Sequence, residues 1–447
     1  MSRRISPVTR WLESAPPAAF TAYAMVAGFA TYFCMYAFRK PFAAAGYKGM
    51  HLLQTGIELK TAFVISQIVG YTVSKYIGIK VCSEVSRGRR AAALVGLIAC
   101  AEAALLLFAL LPPNLKVLAI FLNGLPLGMV WGMVVWYLEG RRTSELLLAG
   151  LSCSFIVSSG VVKDIGTWVM RHWGVGEFWM PFVTGLIFLP PFLASTWLLD
   201  RLPAASPQDA AARVRREPMN AAHRAAFVRH YLWGLLPLLA VYLFLTAYRD
   251  FRDNFGIEMF AQLGYADRAG IFTRSELPVM FGVMACLAAL NLVRDNRRGL
   301  FSTFGLMAGG LVLMGAATLL LDARLIHGLT WMILIGLGSY LAYVPYGSVL
   351  FDRLIASTRI AGTAVFAIYL ADAIGYSGSV GVQLYKDLGD PHVSRLAFFR
   401  AFTYLLSAIG AVLLAASAAC FLARRRPQAA VRTQAALTPR VEAPPVS

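Results

Sequence analysis

Long apolar runs alternate with short polar connections along almost the whole chain. The stretches Ala91–Leu111, Pro181–Leu199, Tyr231–Tyr248, Leu300–Leu321 and Leu396–Ala423 are nearly free of charge. Each is about long enough to cross ~30 Å of hydrocarbon as an α-helix. Their length and uniform apolarity do not fit the alternating pattern of a membrane β-barrel. Extended along the chain, the pattern predicts about twelve spans, at 18–45, 59–80, 91–112, 115–138, 146–170, 178–199, 230–255, 273–294, 299–321, 328–351, 360–385 and 396–423.

The longest internal polar connection, 200–229, falls after the sixth span and divides the spans into two sets of six. The sets are related. Phe38-Arg39-Lys40-Pro41-Phe42 aligns with Phe251-Arg252-Asp253-Asn254-Phe255, and "YLEGRR" at 137–142 with "LFDR" at 350–353. "LAGLS" at 148–152 aligns with "IAGTA" at 360–364, and "RGRR" at 87–90 with "DNRR" at 295–298. Four matches in order, on equivalent helices, indicate an internal duplication. The expected fold class is an all-α polytopic membrane protein with two pseudo-symmetric six-helix bundles. The expected parts are an N-terminal bundle (1–199), a cytoplasmic central loop (200–229), a C-terminal bundle (230–423) and a disordered cytoplasmic tail (424–447).

Composition agrees. The 447-residue chain is 58% hydrophobic and 14% charged, with mean hydropathy +0.63; soluble domains carry about a quarter charged residues. The net charge of +18 raises nucleic-acid binding, but the placement of the charges excludes it. Of 41 lysines and arginines, 25 lie in alternate connections on the side of both termini, the bias of a cytoplasmic face. Both termini are therefore expected in the cytoplasm of a bacterial cell, with the chain in its inner membrane. The basic N-terminus followed by a long apolar run reads as a retained first span. The six cysteines are scattered without a CxxC pair, so neither a disulfide framework nor a metal site is indicated. No GxxxxGK[ST] and no HExxH is present. The reading is a non-enzyme without cofactor, a monomer whose partners are the bilayer and a small solute.

Charged residues inside the spans carry the candidate chemistry, because arginine or lysine near the bilayer centre costs about 2.5–3.5 kcal/mol on insertion scales. In a duplicated bundle, equivalent residues sit at equal depth on either side of a central cavity, so Arg39 and Arg252 become a cationic pair around an anion. Tyr32, Tyr36 and Arg39 share one helical face; the alternative is that Arg39 and Lys40 reach the far interface. Lys75 lies one turn from Tyr71 and two from Gln67, with snorkelling toward Lys80 as its alternative. Arg249 stands one turn before Arg252, in reach of the same ligand or within a local cluster with Asp250 and Asp253. Lys163 and Asp164 sit mid-span, as ligand and proton groups or as a self-neutralising pair. Asp372 and Asp164 are proton-coupling candidates, with Glu102 a weaker one. Glu139 and Asp352 are expected to pair with arginines such as Arg90 and Arg298 as an inner gate.

Twelve spans, cytoplasmic ends, a central loop and a basic loop after span two resemble the major facilitator superfamily. Within it, Tyr36-Ala37-Phe38-Arg39-Lys40-Pro41-Phe42 and Tyr71-Thr72-Val73-Ser74-Lys75-Tyr76 are similar to the first and second spans of the organophosphate:phosphate antiporters. That resemblance implies that Arg39, Lys75, Tyr32 and Tyr36 line a phosphate site. It implies that the seventh-span arginine is Arg252 or Arg249, and that the protein carries an organophosphate by alternating access. Span five departs from the family in lacking its histidine and offering Lys163-Asp164 instead. Together "YLEGRR" and "SFIVSSGVVK" resemble a bacterial branch of the superfamily. Exchange against phosphate and proton symport both remain open. So do a non-transporting sensor of an organophosphate and proton-coupled efflux of a neutral or cationic compound.

Overall fold

A computed structural model describes residues 6–53, 55–138, 141, 143–204, 221–266, 268–293, 295–358, 364–389 and 392–422. Most of the expected central loop (205–220 of 200–229) and all of the expected tail (424–447) lie outside the described residues. A short helix, α1 (Pro7–Ser14), precedes the spans; the Ser6 hydroxyl accepts from Thr9 N and starts it. The first bundle contains α2 (Pro17–Met35), α3 (Leu59–Glu84), α4 (Arg90–Leu110), α5 (Lys116–Leu138), α6 (Ser144–Trp173) and α7 (Met180–Asp200). The second opens with α8 (Ala221–Asn254), followed by a short α9 (Gly256–Gln262). It continues through α10 (Ile271–Asn291), α11 (Asn296–Asp322), α12 (Gly328–Ser348), the short α13 (Leu350–Thr358), α14 (Ala364–Leu384) and α15 (Arg395–Leu422).

Contacts repeat with the sequence. In the first bundle α3 packs on α5, α4 on α5, α2 on α6 and α7, and α4 on α7. In the second, α10 packs on α12, α11 on α12, α8 on α14 and α15, and α11 on α15. Moving every partner of the first set on by six spans generates the second. The bundles meet where α6 lies against α10 and α3 against α14, two contacts that the same correspondence interchanges.

The burial pattern is that of a protein in lipid. Large apolar side chains such as Trp233, Phe301, Val312 and Val412 are outward and exposed, while charged Arg39, Lys40, Lys163, Arg252 and Glu276 are buried. Among the described residues, ten long helices are apolar enough to cross a membrane by length and composition. The other two long ones, α3 and α14, form one of those two contacts between the bundles and carry polar residues such as Gln67, Lys75, Asp372 and Gln383. Close contact holds α3 in place. A Cβ on Gly124 would stand 2.5 Å from Gln67 O, and one on Gly70 2.3 Å from Phe121 O. Only glycine lets the two backbones approach this far.

Candidate functional site

The first span is not one helix. α2 stops at Met35, and the chain continues through two 3₁₀ turns, Tyr36–Phe38 and Pro41–Ala44, with Arg39 and Lys40 between them. Pro41 has no N–H to continue a helix. The freed carbonyls are bonded from neighbouring helices. Asn123 Nδ2 donates to Phe38 O (2.9 Å) and Ala101 O (3.1 Å), and Gln67 Nε2 donates to Arg39 O (2.9 Å) and Asn123 Oδ1 (2.8 Å). Irregular backbone at membrane depth survives where it is buried in protein or borders a polar interior.

Arg39, only 6% exposed, turns its guanidinium over Tyr71 at 4.0 Å from the ring centroid, with Tyr36 at 5.7 Å. No carboxylate pairs with it among the described residues, and its Nε has no hydrogen-bond partner. Tyr32 packs edge-on against Tyr36, and Tyr71 faces Tyr376 of α14. Lys75 does not snorkel to the surface; it crosses to the other bundle and pairs with Asp372. Asp372 also accepts from Tyr242 OH (2.6 Å), which bonds Tyr343 OH (3.1 Å). Arg249 stacks on Tyr343 at 4.3 Å and pairs with Asp250 at 2.9 Å. Tyr36 and Tyr376 each lie within electrostatic reach of both Arg39 and Arg249. The structure thus gathers Tyr32, Tyr36, Arg39, Lys75, Arg249 and Asp372 into one tyrosine-rich layer at mid-bundle.

Arg252 is directed elsewhere. It pairs with Glu276 of α10 (2.7 Å) and donates to Met332 O (3.0 Å). Gly336 leaves it room, since a Cβ there would meet its guanidinium at 2.6 Å. The two arginines that align in the repeat therefore have different surroundings, and Arg249 is the seventh-span arginine that shares a layer with Arg39.

The next layer, toward the end remote from α1, joins the bundles by charge. Asp253 of α8 accepts from Lys40 (2.6 Å), from Lys163 of α6 (2.8 Å) and from the Ser159 hydroxyl. Lys40 also donates to Asn254 Oδ1 (3.0 Å), and Lys163 to Asp253 O (2.8 Å). Lys60 pairs with Glu258 (2.6 Å) and Glu58 with Arg395 (2.7 Å). Lys163 and Asp164 do not neutralise each other. Asp164 turns to α10, where it accepts from Phe272 N (3.3 Å), Thr273 N (2.6 Å) and the Thr273 hydroxyl (2.5 Å). A cavity of about 330 Å³ lies at this seam, lined by Asp164, Trp168, Arg171, Phe260 and Tyr265 among others; none of the central residues borders it.

The expected inner gate is not assembled from described residues. Glu139 and the Asp352 side chain lie outside them. Arg90 stacks on Trp136 at 4.8 Å, and Arg298 is exposed at the start of α11, its backbone N–H bonded to Asp295. Sequence reasoning passed over Asn123, Glu276 and the tyrosines of the second bundle. Tyr340, Tyr343 and Tyr346 recur every three residues in span ten, a visible signal; Asn123 and Glu276 gave none, because their roles depend on which helix lies opposite.

No curated protein matches the chain by sequence. Solved structures share its fold. A nucleoside transporter, NupG, is 13% identical with a TM-score of 0.57, covering 90% of this chain and 98% of its own. A D-xylose–proton symporter is 14% identical with a TM-score of 0.57, covering 88% and 96%. A POT family transporter in complex with a thioalcohol-conjugated peptide is 12% identical with a TM-score of 0.59, covering 90% and 96%. At such identities the likeness establishes the major facilitator fold alone. By sequence, residues 41–425 match a family of unknown function, DUF5690, and the chain belongs to that family.

Proposed function

We propose that the chain is a secondary transporter that moves a small organic anion by alternating access, its bundles rocking about the tyrosine-rich layer. The observation that carries this reading is Arg39. A guanidinium buried in a transporter fold, on a broken helix, stacked on tyrosine and lacking a carboxylate partner among the described residues is suited to receive an anion. Guanidinium binds carboxylate and phosphate through paired hydrogen bonds that strengthen in low dielectric. Lys75, paired with Asp372, and Arg249, paired with Asp250, flank it from the two bundles, so a ligand on Arg39 lies between them. Organophosphates are the class to which the spans-one-and-two resemblance points, with exchange against phosphate as the corresponding coupling. The charge bias of the connections favours an inner-membrane location with cytoplasmic termini. Solved transporters of this fold carry nucleosides, sugars and peptides, which supports transport over catalysis.

The test is a thermal-shift screen of small organic anions on purified wild-type and Arg39→Ala protein, followed by counterflow in proteoliposomes. A ligand of the folded state raises its stability by mass action. Stabilisation by an anion that disappears in Arg39→Ala, with counterflow of the same anion, supports the reading. Binding without counterflow makes the protein a sensor. Anion binding that is indifferent to Arg39 removes the site assignment.

A further inference from the structure

The charges around Arg39 narrow the solute further, on the premise that the central layer is the substrate site. Among the described residues, three cations (Arg39, Lys75 and Arg249) and two carboxylates (Asp372 and Asp250) meet there. Lys75 is matched by Asp372 and Arg249 by Asp250, and Asp250 is further fixed by the Ser379 hydroxyl at 3.0 Å. Arg39 is left with aromatic faces and an unbonded Nε. The layer therefore holds one surplus positive charge, located on Arg39. A second surplus exists one layer away, where Lys40 and Lys163 share Asp253. Their ammonium groups are already directed at Asn254 Oδ1, the Asp253 carbonyl and the Asp253 carboxylate, and they join the bundles. Arg252 and Glu276 cancel.

We infer that the transported solute is an organic monoanion: a carboxylate, a phosphodiester or a phosphate monoester in its singly ionised form. In a low-dielectric interior an uncompensated charge is expensive, so net balance selects among ligands as strongly as contact geometry does. One negative charge neutralises Arg39. A second stands beside Asp372 and Asp250 with no cation free to meet it, unless Lys75 leaves Asp372. The tyrosines Tyr36, Tyr71 and Tyr376 around the guanidinium add ring faces and hydroxyls for an uncharged body, and no further charge.

The probes are glycerol 3-phosphate, its methyl phosphodiester and glycerate, assayed by thermal shift on the purified full chain at pH 8. There the monoester is doubly charged, its second ionisation lying near pH 6. The diester and glycerate are expected to half-saturate at concentrations at least about tenfold below the monoester, and the monoester to approach them at pH 5.5. Asp372→Asn releases Lys75, raises the surplus to two and reverses the order at pH 8. The double variant Lys75→Met/Asp372→Asn returns the surplus to one and restores the monoanion preference. That restoration separates a charge effect from damage to the fold. A wild-type preference for the doubly charged monoester, abolished by Arg39→Ala, overturns the monoanion assignment and leaves the site standing. Stabilisation by any probe that persists in Arg39→Ala, or none by any probe at millimolar concentration, overturns both.

Discussion

Asp253→Ala puts the charged layer between the bundles to its sharpest test. The substitution leaves the ammonium groups of Lys40 and Lys163, residues 4% and 3% exposed, without their shared carboxylate. Removing one partner of a buried pair costs about 3–5 kcal/mol, because the remaining charge stays desolvated. Lys40 and Lys163 belong to the first bundle and Asp253 to the second, so the loss falls on the conformation in which the end remote from α1 is closed. At about 1.4 kcal/mol per factor of ten, the closed population falls against the open one by roughly a hundredfold to a few thousandfold. The pairs Lys60–Glu258 and Arg395–Glu58 remain, so the closed form is weakened, not abolished. The assay replaces the six native cysteines and introduces Ala43→Cys, at a fully buried position on the 3₁₀ turn Pro41–Ala44. Labelling by a membrane-impermeant maleimide then reports opening, and its rate is expected to rise by about two orders of magnitude in Asp253→Ala. The variant Lys40→Met/Lys163→Met/Asp253→Asn removes every charge together and is expected to label as slowly as the parent, since replacing a whole buried ionic group is close to neutral. A folded Asp253→Ala protein with the parent's labelling rate refutes the idea that these charges hold the end shut.

Asn123→Leu strips hydrogen bonds from the Phe38 and Ala101 carbonyls and from Gln67. At about 1–3 kcal/mol per stranded buried polar group, the melting temperature falls and anion affinity falls with it, as Arg39 loses its support; thermal shift with and without ligand reads both. Gly336→Ala drives a methyl group toward the Arg252 guanidinium, 2.6 Å from its nearest nitrogen. Stability drops while anion affinity holds, because Arg252 stands outside the central layer; a loss of affinity equal to that of Arg39→Ala contradicts the placement. Gly185→Ala brings a Cβ to 2.1 Å from Glu102 Oε2 and is expected to lower the melting temperature, whereas Glu102→Ala in the same chain recovers most of the loss. Arg39→Lys keeps the charge but loses the planar fork, so anion half-saturation rises about tenfold or more without the complete loss seen in Arg39→Ala.

Much of the fold is written in the order of the residues. Uniform apolar runs of span length have one stable form in lipid, the helix, because every backbone polar group must be bonded within its own segment. The twelve spans and their division into two sets followed from run length and repeated motifs. The structure places helices close to where the apolar runs lie, and the contact pattern of the bundles repeats as the motifs do. The break in the first span is also local, since Pro41 removes a donor wherever it stands. Asp164 shows the opposite case. In a Lys-Asp dipeptide it reads either as a proton-coupling group or as half of a self-neutralising pair, yet it bonds the first turn of α10.

Arg39 and Arg252 mark the boundary between the two kinds of information. Their shared frame, Phe-Arg-x-x-Phe, suggested one role for both, and although Lys40-Pro41 and Asp253-Asn254 differ within it, neither pair says what stands opposite each guanidinium. The sequence alone placed both arginines at the ends of long apolar runs and left open whether Arg39 is buried or reaches the interface; the structure buries both. Only the tertiary structure decided that Glu276 would stand beside Arg252 while Tyr71 stands beside Arg39. Electrostatic pairing depends on distance through space, and groups tens or hundreds of residues apart acquire that distance only when helices pack.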